Sequence, residues 1–335
     1  MLPHGGRLRA AAERYGIPLA DWLDLSTGIN PHGWPVPAIP PSAWARLPED
    51  DDGLEQAART YYGTDSLLAV AGSQAAIQTL PRLRPRGSVG VIAPGYNEHA
   101  HVWQRAGHTV TPVSADTLDS AAADMDVLVI IHPNNPTGAW FSTETLLQWH
   151  AQLAARGGWL VVDEAFIDAT PEQSLAPYCP RLGLIVLRSL GKFFGLAGAR
   201  VGFAIAEPAL LESLKSSLGP WPIAAPSRHV AMQALADRDW QEAVRRRLIH
   251  HGERLAALLT QYGLAPSGGC ALFQWVCTPQ SIALHEQLAR DGILTRLFDA
   301  PASLRFGLPN VETEWAKLAV ALTAVHHPEA NRAAR

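Results

Sequence analysis

The chain has 335 residues, a hydrophobic fraction of 47% and a formal net charge of -4 at pH 7. This length and composition predict a large buried core, in one large domain or in a large and a small one. The charge gives no basic footprint for a nucleic acid, and no apolar run is long enough to cross a membrane. Three cysteines give neither a disulfide framework nor a metal-ligand spacing, so we expect a reducing cytoplasm and no metal site.

The first 48 residues combine a short predicted helix with a segment that is dense in proline. The helix is predicted from Arg7 to Tyr15, because Gly16 and Pro18 follow it. From Asn30 to Pro48 prolines are too frequent for regular hydrogen-bonded structure. We therefore expect residues 1–48 to form an N-terminal arm and part of a small domain.

Strands alternate with helices between residues 65 and 217. The strands are predicted as near-continuous apolar runs at 67–71, 89–93, 126–131, 159–162, 184–187 and 200–206. Helices are predicted at 54–62, 72–81, 96–107, 142–156 and 207–217. Fully apolar strands of this kind are typical of a mainly parallel sheet with helices on both faces. The predicted fold class is α/β, with a large domain at residues 49–222.

A smaller α+β domain is predicted at residues 223–335, after the break at Trp221-Pro222. Its predicted elements are a long helix at 226–262, strands at 271–276, 293–297 and 303–307, and helices at 281–290 and 311–325. The residues after His326 are predicted to be disordered, as chain ends often are.

Lys192 lies in a loop directly after the apolar strand at 184–187. A lysine that is kept out of water loses proton affinity, and its free amine can form a Schiff base with a carbonyl compound. Ser189 and Arg200 could bind one anion beside it. Taken alone, these residues fit a solvent-facing lysine in a loop as well, because Ser-x-x-Lys is a common spacing.

Polar residues after other strands are expected to meet this lysine. Residues of this kind directly after apolar strands are Ser73, Tyr96, Asn135, Asp163 and Lys192. In parallel sheets ligands collect at strand ends, so these side chains can converge on one site. Gly72-Ser73 could offer helix N–H groups to an anion or be an ordinary serine N-cap. A carboxylate at the end of a buried strand, such as Asp163, needs a cation or a hydrogen-bond donor.

The combination of these motifs resembles a known family. Asn135-Pro136-Thr137-Gly138, Asp163-Glu164-Ala165 and Ser189-x-x-Lys192 with Arg200 are similar in order and spacing to the fold-type I enzymes of pyridoxal phosphate, the class I/II aminotransferase superfamily. The resemblance implies a large domain with a mainly parallel seven-stranded sheet, a smaller α+β domain, and a homodimer. It also implies pyridoxal 5'-phosphate as the cofactor.

The resemblance further implies the roles of single residues. The catalytic residues are Lys192, which carries the Schiff base, and Asp163, which binds the pyridine nitrogen. Tyr96 stacks on the ring, and Asn135 lies near the phenolic oxygen. The residues around the cofactor phosphate are Ser73, Gln74, Ser189 and Arg200. Phe166 stands where many aminotransferases carry a tyrosine that donates to the phenolic oxygen, and a phenyl ring cannot donate.

A narrower resemblance is to the family of threonine-phosphate decarboxylases of cobalamin biosynthesis. The segments that carry it are His4-Gly5-Gly6, Ile29-Asn30-Pro31, Asp163 to Asp168, Val186 to Leu190 and Pro220-Trp221. It implies release of CO2 from L-threonine O-3-phosphate to give (R)-1-aminopropan-2-ol O-phosphate. The implied substrate-binding residues are His4, Gly5, Gly6, Asn30, Arg296 and Arg305. Leu47-Pro48-Glu49 departs from the Tyr-Pro-Asp of relatives, whose tyrosine reaches the cofactor phosphate of the partner subunit.

Two other functions remain open at this point. An aminotransferase of the histidinol-phosphate type would share the cofactor residues but break the bond to the α-hydrogen instead of the bond to the carboxylate. A catalytically idle cofactor-binding protein used for regulation would not need an intact Lys192 and Asp163, and the sequence has no DNA-binding segment fused to it.

Overall fold

The structure is a computed structural model and describes residues 5–326. The chain divides into two compact units. The large unit consists of Gly33–Asn135 and Ala139–Arg245, and the small unit consists of the described residues up to His32, Pro136–Gly138 and the described residues from Arg246 on. These limits differ from the predicted domain limits after residues 48 and 222, which remain a prediction.

The strands are β1 (Leu23–Asp24), β2 (Leu67–Val70), β3 (Ser88–Ile92), β4 (Thr109–Val113), β5 (Val127–Ile131), β6 (Trp159–Asp163), β7 (Leu184–Ser189), β8 (Gly202–Ile205), β9 (Gly268–Cys270), β10 (Phe273–Cys277), β11 (Ile293–Leu294), β12 (Arg296–Phe298) and β13 (Ser303–Gly307). The α-helices are α1 (Leu8–Tyr15), α2 (Ser42–Ala45), α3 (Leu54–Tyr62), α4 (Ser73–Thr79), α5 (Glu98–Arg105), α6 (Leu118–Asp124), α7 (Thr143–Ala154), α8 (Pro208–Leu218), α9 (Ala225–Ala236), α10 (Arg238–Gln261), α11 (Ser281–Arg290) and α12 (Glu312–His326).

The large unit is built on a seven-stranded sheet with the order β2-β8-β7-β6-β5-β3-β4. β8 runs antiparallel to both of its neighbours, and the remaining pairs are parallel. Every residue of β5 is buried, as expected for a β-branched strand in the middle of a parallel sheet. The predicted α/β class and the mainly parallel seven-stranded sheet are confirmed.

The order of the central strands positions the candidate site. β5, β6 and β7 are parallel neighbours, with Ile131 in register with Asp163 and Asp163 in register with Leu187. Their carboxyl ends therefore lie at one edge of the sheet. Side chains at the end of these strands, or in the loops that follow, are brought together there.

The long helix predicted at 226–262 is two helices, α9 and α10, so this prediction was wrong. They are separated by Asp237, whose backbone is not helical (φ -84°, ψ 79°). Its Oδ1 accepts the Trp240 N–H at 3.1 Å, and its Oδ2 accepts the Trp34 indole N–H at 3.0 Å. Aspartate is among the preferred N-cap residues, so Asp237 ends one helix and starts the next.

Several short or exposed elements are absent from the sequence prediction. These are β1, β4, β9, α2 and α6. β4 is the clearest case, because only its last residue is buried and its run contains Pro112. It lies at the edge of the sheet, where proline is tolerated. Its pattern therefore has neither the apolar run nor the alternation from which strands are predicted.

The small unit contains an antiparallel four-stranded sheet, ordered β12-β13-β10-β9, and a parallel pair of β1 with β11. The predicted strand at 293–297 is thus two short strands. β13 is buried along its whole length. The predicted smaller α+β unit is present, whereas the predicted disorder after His326 lies outside the described residues. Within residues 5–326 no helix is both long and apolar enough to cross a membrane.

Candidate active site

A cavity of about 150 Å³ lies at the carboxyl edge of the large unit's sheet. The residues that line it are Ser73, Gln74, Tyr96, Ile131, Asn135, Asp163, Ala165, Phe166, Ser189, Lys192 and Arg200. The cavity thus brings together all the residues predicted from the sequence to bind the cofactor. Their individual roles toward a cofactor remain a prediction.

Asp163 is buried at the end of β6, and both of its carboxylate oxygens have partners. Oδ2 lies 2.9 Å from His99 Nε2, and Oδ1 accepts the Ala165 N–H at 3.1 Å. These contacts supply the partners that a buried carboxylate requires. His99 is not among the residues predicted from the sequence. The signal that would have found it is its place three residues after Tyr96, in the turn that opens α5.

Tyr96 is held by a short chain of hydrogen bonds. Its hydroxyl donates to Gln74 Oε1 at 3.2 Å, and Gln74 Nε2 donates to Glu98 Oε2 at 3.0 Å. Burial, with further contributions from the Glu98 and Asp163 charges, raises the pKa of Tyr96 to about 12. The hydroxyl therefore stays protonated near neutral pH. Its ring meets the ring of His99 edge-on, with the centroids 6.0 Å apart.

Two glycines allow Arg200 and the start of α4 to approach the backbone closely. α4 begins at Ser73 with Gly72 as its N-cap at φ 69°, so Ser73 itself is not the N-cap. A Cβ on Gly72 would lie 2.6 Å from Arg200 Nη2, and a Cβ on Gly202 would lie 2.4 Å from the Ser73 nitrogen. Both positions therefore need glycine. Together with the Ser189 hydroxyl, Arg200 and the start of α4 offer guanidinium, O–H and N–H donors, which suit a phosphate dianion.

Lys192 is the lysine of this cavity. The chain contains three lysines. Lys215 is exposed and ion-paired with an aspartate, and Lys317 donates to backbone carbonyls in the small unit. Lys192 is partly buried, with its Nζ 5.5 Å from the centroid of the Phe166 ring. The Lys192 side chain thus lines the cavity, where an aldehyde could reach its amine.

The turn that carries Asn135 is fixed by its neighbour. The Asn134 amide donates to the Pro94 carbonyl at 2.9 Å, and the Asn134 backbone N–H donates to the Ala139 carbonyl at 2.8 Å. Asn135 is therefore presented to the cavity from an anchored segment, as the two prolines around it predict.

The predicted substrate residues belong to the small unit. His4 lies outside the described residues. Gly5, Gly6 and Arg296 border a second cavity, of about 250 Å³, and the Gly6 N–H donates to Ser26 Oγ at 2.8 Å. Asn30 is buried, and its amide both donates to the His32 carbonyl and accepts the His32 N–H. Asn30 thus shapes a turn in this structure.

Arg296 and Arg305 concentrate positive charge in the small unit. Arg305 is buried and donates to the Ser26 carbonyl at 2.9 Å. Burial and, to a smaller extent, the charge of the nearby Arg296 together lower the pKa of Arg305 to about 10. Burial and the Arg7 charge lower the pKa of Arg296 in the same way. Cations that disfavour one another become more stable when an anion binds between them.

The donor set of the large unit fits the cofactor that the sequence predicts. Arg200, the Ser73 N–H and the Ser189 hydroxyl suit the phosphate, and the Asp163 carboxylate suits a protonated ring nitrogen. The amine of Lys192 suits the aldehyde. In residues 5–326 no group of three or more His, Cys, Asp or Glu side chains is arranged to hold a metal ion.

This fold and this cavity are those of a fold-type I pyridoxal phosphate protein, and comparison with known proteins agrees. The family Aminotransferase class I and II matches residues 21–322. The chain belongs to this family.

Within this family, the chain is similar to threonine-phosphate decarboxylases. The chain is 57% identical to a threonine-phosphate decarboxylase from Pseudomonas aeruginosa, over 98% of this chain and 99% of that protein. It is 43% identical to a threonine-phosphate decarboxylase from Sinorhizobium sp, over 91% of this chain and 92% of that protein. Among solved structures, histidinol-phosphate aminotransferase from Sinorhizobium meliloti in complex with pyridoxal-5'-phosphate has a TM-score of 0.84 at 22% identity, covering 98% of this chain and 96% of that one. At that identity the structure shows the fold alone.

Proposed function

We propose that this protein uses pyridoxal 5'-phosphate to release CO2 from L-threonine O-3-phosphate, forming (R)-1-aminopropan-2-ol O-phosphate for cobalamin biosynthesis. The observation that carries the proposal is the 57% identity, over nearly the full length of both chains, to a threonine-phosphate decarboxylase. The cavity around Lys192 supports the proposal, because the residues that the resemblance implies for the cofactor all line it.

When bound, the cofactor supplies an electrophilic aldehyde and a ring that accepts electrons. The Lys192 amine, which lines the cavity, would hold the cofactor's aldehyde group. Asp163 would bind the protonated ring nitrogen of the cofactor, and His99 holds the Asp163 carboxylate in place. Arg200 and Ser189 would hold the cofactor phosphate, and Tyr96 would pack against the cofactor ring.

The choice of reaction depends on the orientation of the substrate. The bond that breaks must stand perpendicular to the conjugated plane, so a decarboxylase has to point the α-carboxylate in that direction. Two anions, the substrate phosphate and carboxylate, then need separate cations. The candidates are His4, Arg296 and Arg305. Loss of CO2 requires a proton in its place at the α-carbon, and Lys192, which lines the cavity, or water could supply it.

We also propose that the protein is a cytoplasmic homodimer. Free thiols at Cys179, Cys270 and Cys277 support a reducing compartment. Large apolar side chains that are more than half exposed in the large unit support a self-association surface, and they include Val36, Trp44, Leu47 and Trp221. Sedimentation of the holoenzyme tests this, since a monomer at micromolar concentration would contradict it.

The function is tested by incubating the holoenzyme with threonine phosphate, with and without a 2-oxo acid. We expect CO2 and aminopropanol phosphate in both reactions. Transfer of the amino group that depends on the oxo acid would instead make the protein an aminotransferase. If the cofactor binds and neither reaction occurs with threonine phosphate or histidinol phosphate, the idle binding protein is supported.

A further inference from the structure

A buried ion cluster in the large unit lies next to the cavity residues in sequence but does not line the cavity. We call it the Arg188 cluster, and it comprises Arg188, Glu164, Asp168 and Ser174. Arg188 Nη1 donates to Glu164 Oε2 and to Ser174 Oγ, both at 2.9 Å, and Nη2 donates to Asp168 Oδ1. Arg188 is 2% exposed, and both carboxylates are fully buried. The guanidinium therefore joins two segments inside the protein.

Each carboxylate has further partners. Glu164 Oε1 accepts the Leu175 N–H at 2.7 Å, and Oε2 accepts the Ser174 hydroxyl at 2.5 Å. Asp168 Oδ1 also accepts the Tyr61 hydroxyl at 2.9 Å. These contacts fix the rotamers of both acids, so small movements of either one would break several bonds at once.

The cluster is costly as a means of filling the core. Burial raises the pKa of Glu164, although the Arg188 charge opposes this rise. Two buried anions around one buried cation lose hydration that their attraction repays only in part, and apolar residues of equal volume often stabilise a fold as well or better. A buried ion cluster is thus weak evidence for a stabilising role, and its geometry indicates what else it does.

Cluster residues and cavity residues are direct neighbours along the two central strands. On β7, Arg188 precedes Ser189, which lines the cavity. At the end of β6, Glu164 follows Asp163, which also lines it. Because adjacent residues of a strand point to opposite faces, the guanidinium holds the two strand ends from the side away from the cavity.

Phe166, which lines the cavity, also has residues of the Arg188 cluster close to it in the sequence. It lies between Glu164 and Asp168 in the sequence, and both of these carboxylates bind Arg188. Phe166 is buried, and its ring is the surface over which Lys192 Nζ lies, 5.5 Å from the centroid. The two flanking ion pairs therefore limit where the ring can lie, and with it the lysine.

We propose that Arg188, Glu164 and Asp168 are positioning residues, which set Asp163, Phe166 and Ser189 at the distances that the cofactor on Lys192 requires. The inference rests on the proposed function, because the cofactor is the one named there. It makes the cluster a determinant of cofactor affinity and of the protonation of the Lys192–cofactor linkage, in addition to its part in folding.

The large unit also offers a matched control. Arg228 is 4% exposed and likewise binds two carboxylates, with its Nε 2.7 Å from Asp52 Oδ2 and its Nη2 2.7 Å from Glu55 Oε2. It joins α9 to α3 and does not line the cavity. Glu55→Gln therefore weakens a cluster of the same composition, with less buried carboxylates, and the altered residue does not line the cavity.

The test compares Glu164→Gln, Arg188→Lys and Glu55→Gln as holoenzymes. The measurements are the Kd for pyridoxal phosphate by equilibrium dialysis, the pH midpoint of the linkage's absorption band, kcat and KM, and the Tm. We expect Glu164→Gln to raise the Kd about tenfold and to shift the midpoint, with kcat changing more than KM. Arg188→Lys keeps the positive charge but loses the planar guanidinium, whose two Nη atoms bind both carboxylates. It should therefore show the same changes to a smaller extent. Glu55→Gln should lower only the Tm.

The outcomes separate positioning from folding. A Glu164→Gln protein with a lower Tm but with the wild-type Kd and midpoint would mean that the cluster acts in folding alone, and the inference would be wrong. If Glu164→Gln does not fold, the same readouts on Arg188→Lys decide. If the wild-type protein binds no pyridoxal phosphate, the proposed function is wrong and this inference falls with it.

Discussion

Arg296 and Arg305 lie directly opposite each other on the antiparallel strands β12 and β13 of the small unit. Like charges in facing positions destabilise a sheet, and Arg7 adds further positive charge near Arg296. The small unit therefore holds electrostatic repulsion that an anion would relieve. A substrate with both a phosphate and a carboxylate is suited to such a place.

Replacing Arg296 should weaken substrate binding and also remove the repulsion between Arg296 and Arg305. We expect Arg296→Ala to raise the KM for threonine phosphate about tenfold or more, because a charge-assisted hydrogen bond is lost. In buffer without polyvalent anions its Tm should equal or exceed that of the wild type, since repulsion is removed. Arg290→Ala, exposed at the end of α11, is the control and should change neither value. An unchanged KM for Arg296→Ala would remove Arg296 from the substrate site.

Lys192→Ala should abolish the visible absorption band of the Lys192–cofactor linkage and reduce turnover to background, because no other lysine lines the cavity. Absorption spectroscopy of the reconstituted protein checks this. Lys215→Ala should leave band and turnover intact, since that side chain is exposed and ion-paired elsewhere. A band that survives in Lys192→Ala would assign the aldehyde to Lys215 or Lys317.

Phe166→Tyr should change the protonation of the linkage with little effect on folding. The added hydroxyl is a hydrogen-bond donor near Lys192. A hydrogen bond from it to the cofactor's anionic phenolic oxygen would stabilise the deprotonated form of the Lys192–cofactor linkage. We therefore expect the pH midpoint of the absorption band to fall, as measured by spectrophotometric titration. Phe141→Tyr, whose ring packs on His132 and Trp149, is the comparison and should leave the midpoint unchanged. Identical titrations for wild type and Phe166→Tyr would contradict the placement of Phe166.

Asp237→Ala should destabilise the large unit by about 2 kcal/mol, because it removes both the N-cap of α10 and the acceptor of the Trp34 indole. Urea unfolding followed by tryptophan fluorescence gives the free energy. Asp239→Ala removes a carboxylate from the same first turn, but one that is exposed, and should cost much less. Equal losses in the two variants would mean that charge near the helix start matters and capping does not.

His132 should make stability depend on pH in the acid range. It is fully buried, and burial lowers its pKa to about 4 from an ordinary value near 6.5. Between these values the unfolded chain binds a proton that the folded protein does not, so stability is complete above pH 6.5 and falls as the pH drops toward 4, by roughly 3 kcal/mol. His132→Asn should flatten this part of the stability curve measured by Tm against pH, whereas exposed His101→Asn should not. If the Tm of His132→Asn fell with pH as steeply as that of the wild type, His132 would not be the source of the pH dependence.

The position of the candidate site follows from the sequence because its residues obey one local rule. Asp163 and Lys192 come directly after apolar runs, and strands of that kind form parallel sheets whose carboxyl ends share an edge. To apply this rule to a residue, one needs to know only the residues next to it in the sequence. The fold class could be predicted for the same reason.

Pairings across the chain could not be predicted in this way. His99 is 64 positions from the carboxylate that it holds, and Arg188 is 24 positions from Glu164. Hydrophobic periodicity reports which face of an element is buried and contains no information about which polar group meets which. Asp237 was missed for a related reason, since the apolar pattern continues on both sides of it and only its side-chain contacts end the helix.

The outer edge of β4 has a consequence for the behaviour of the protein at high concentration. The Thr109 N–H donates to the Gly87 carbonyl and the Val113 carbonyl accepts the Ala93 N–H, on the two residues that flank β3. By alternation along β4, the nitrogen of Pro112 therefore faces away from the sheet. A strand from another molecule would need an N–H at that point and finds a proline ring instead. β4 thus blocks intermolecular strand addition on its side of the sheet, which protects a crowded solution of this enzyme against fibre-like aggregation.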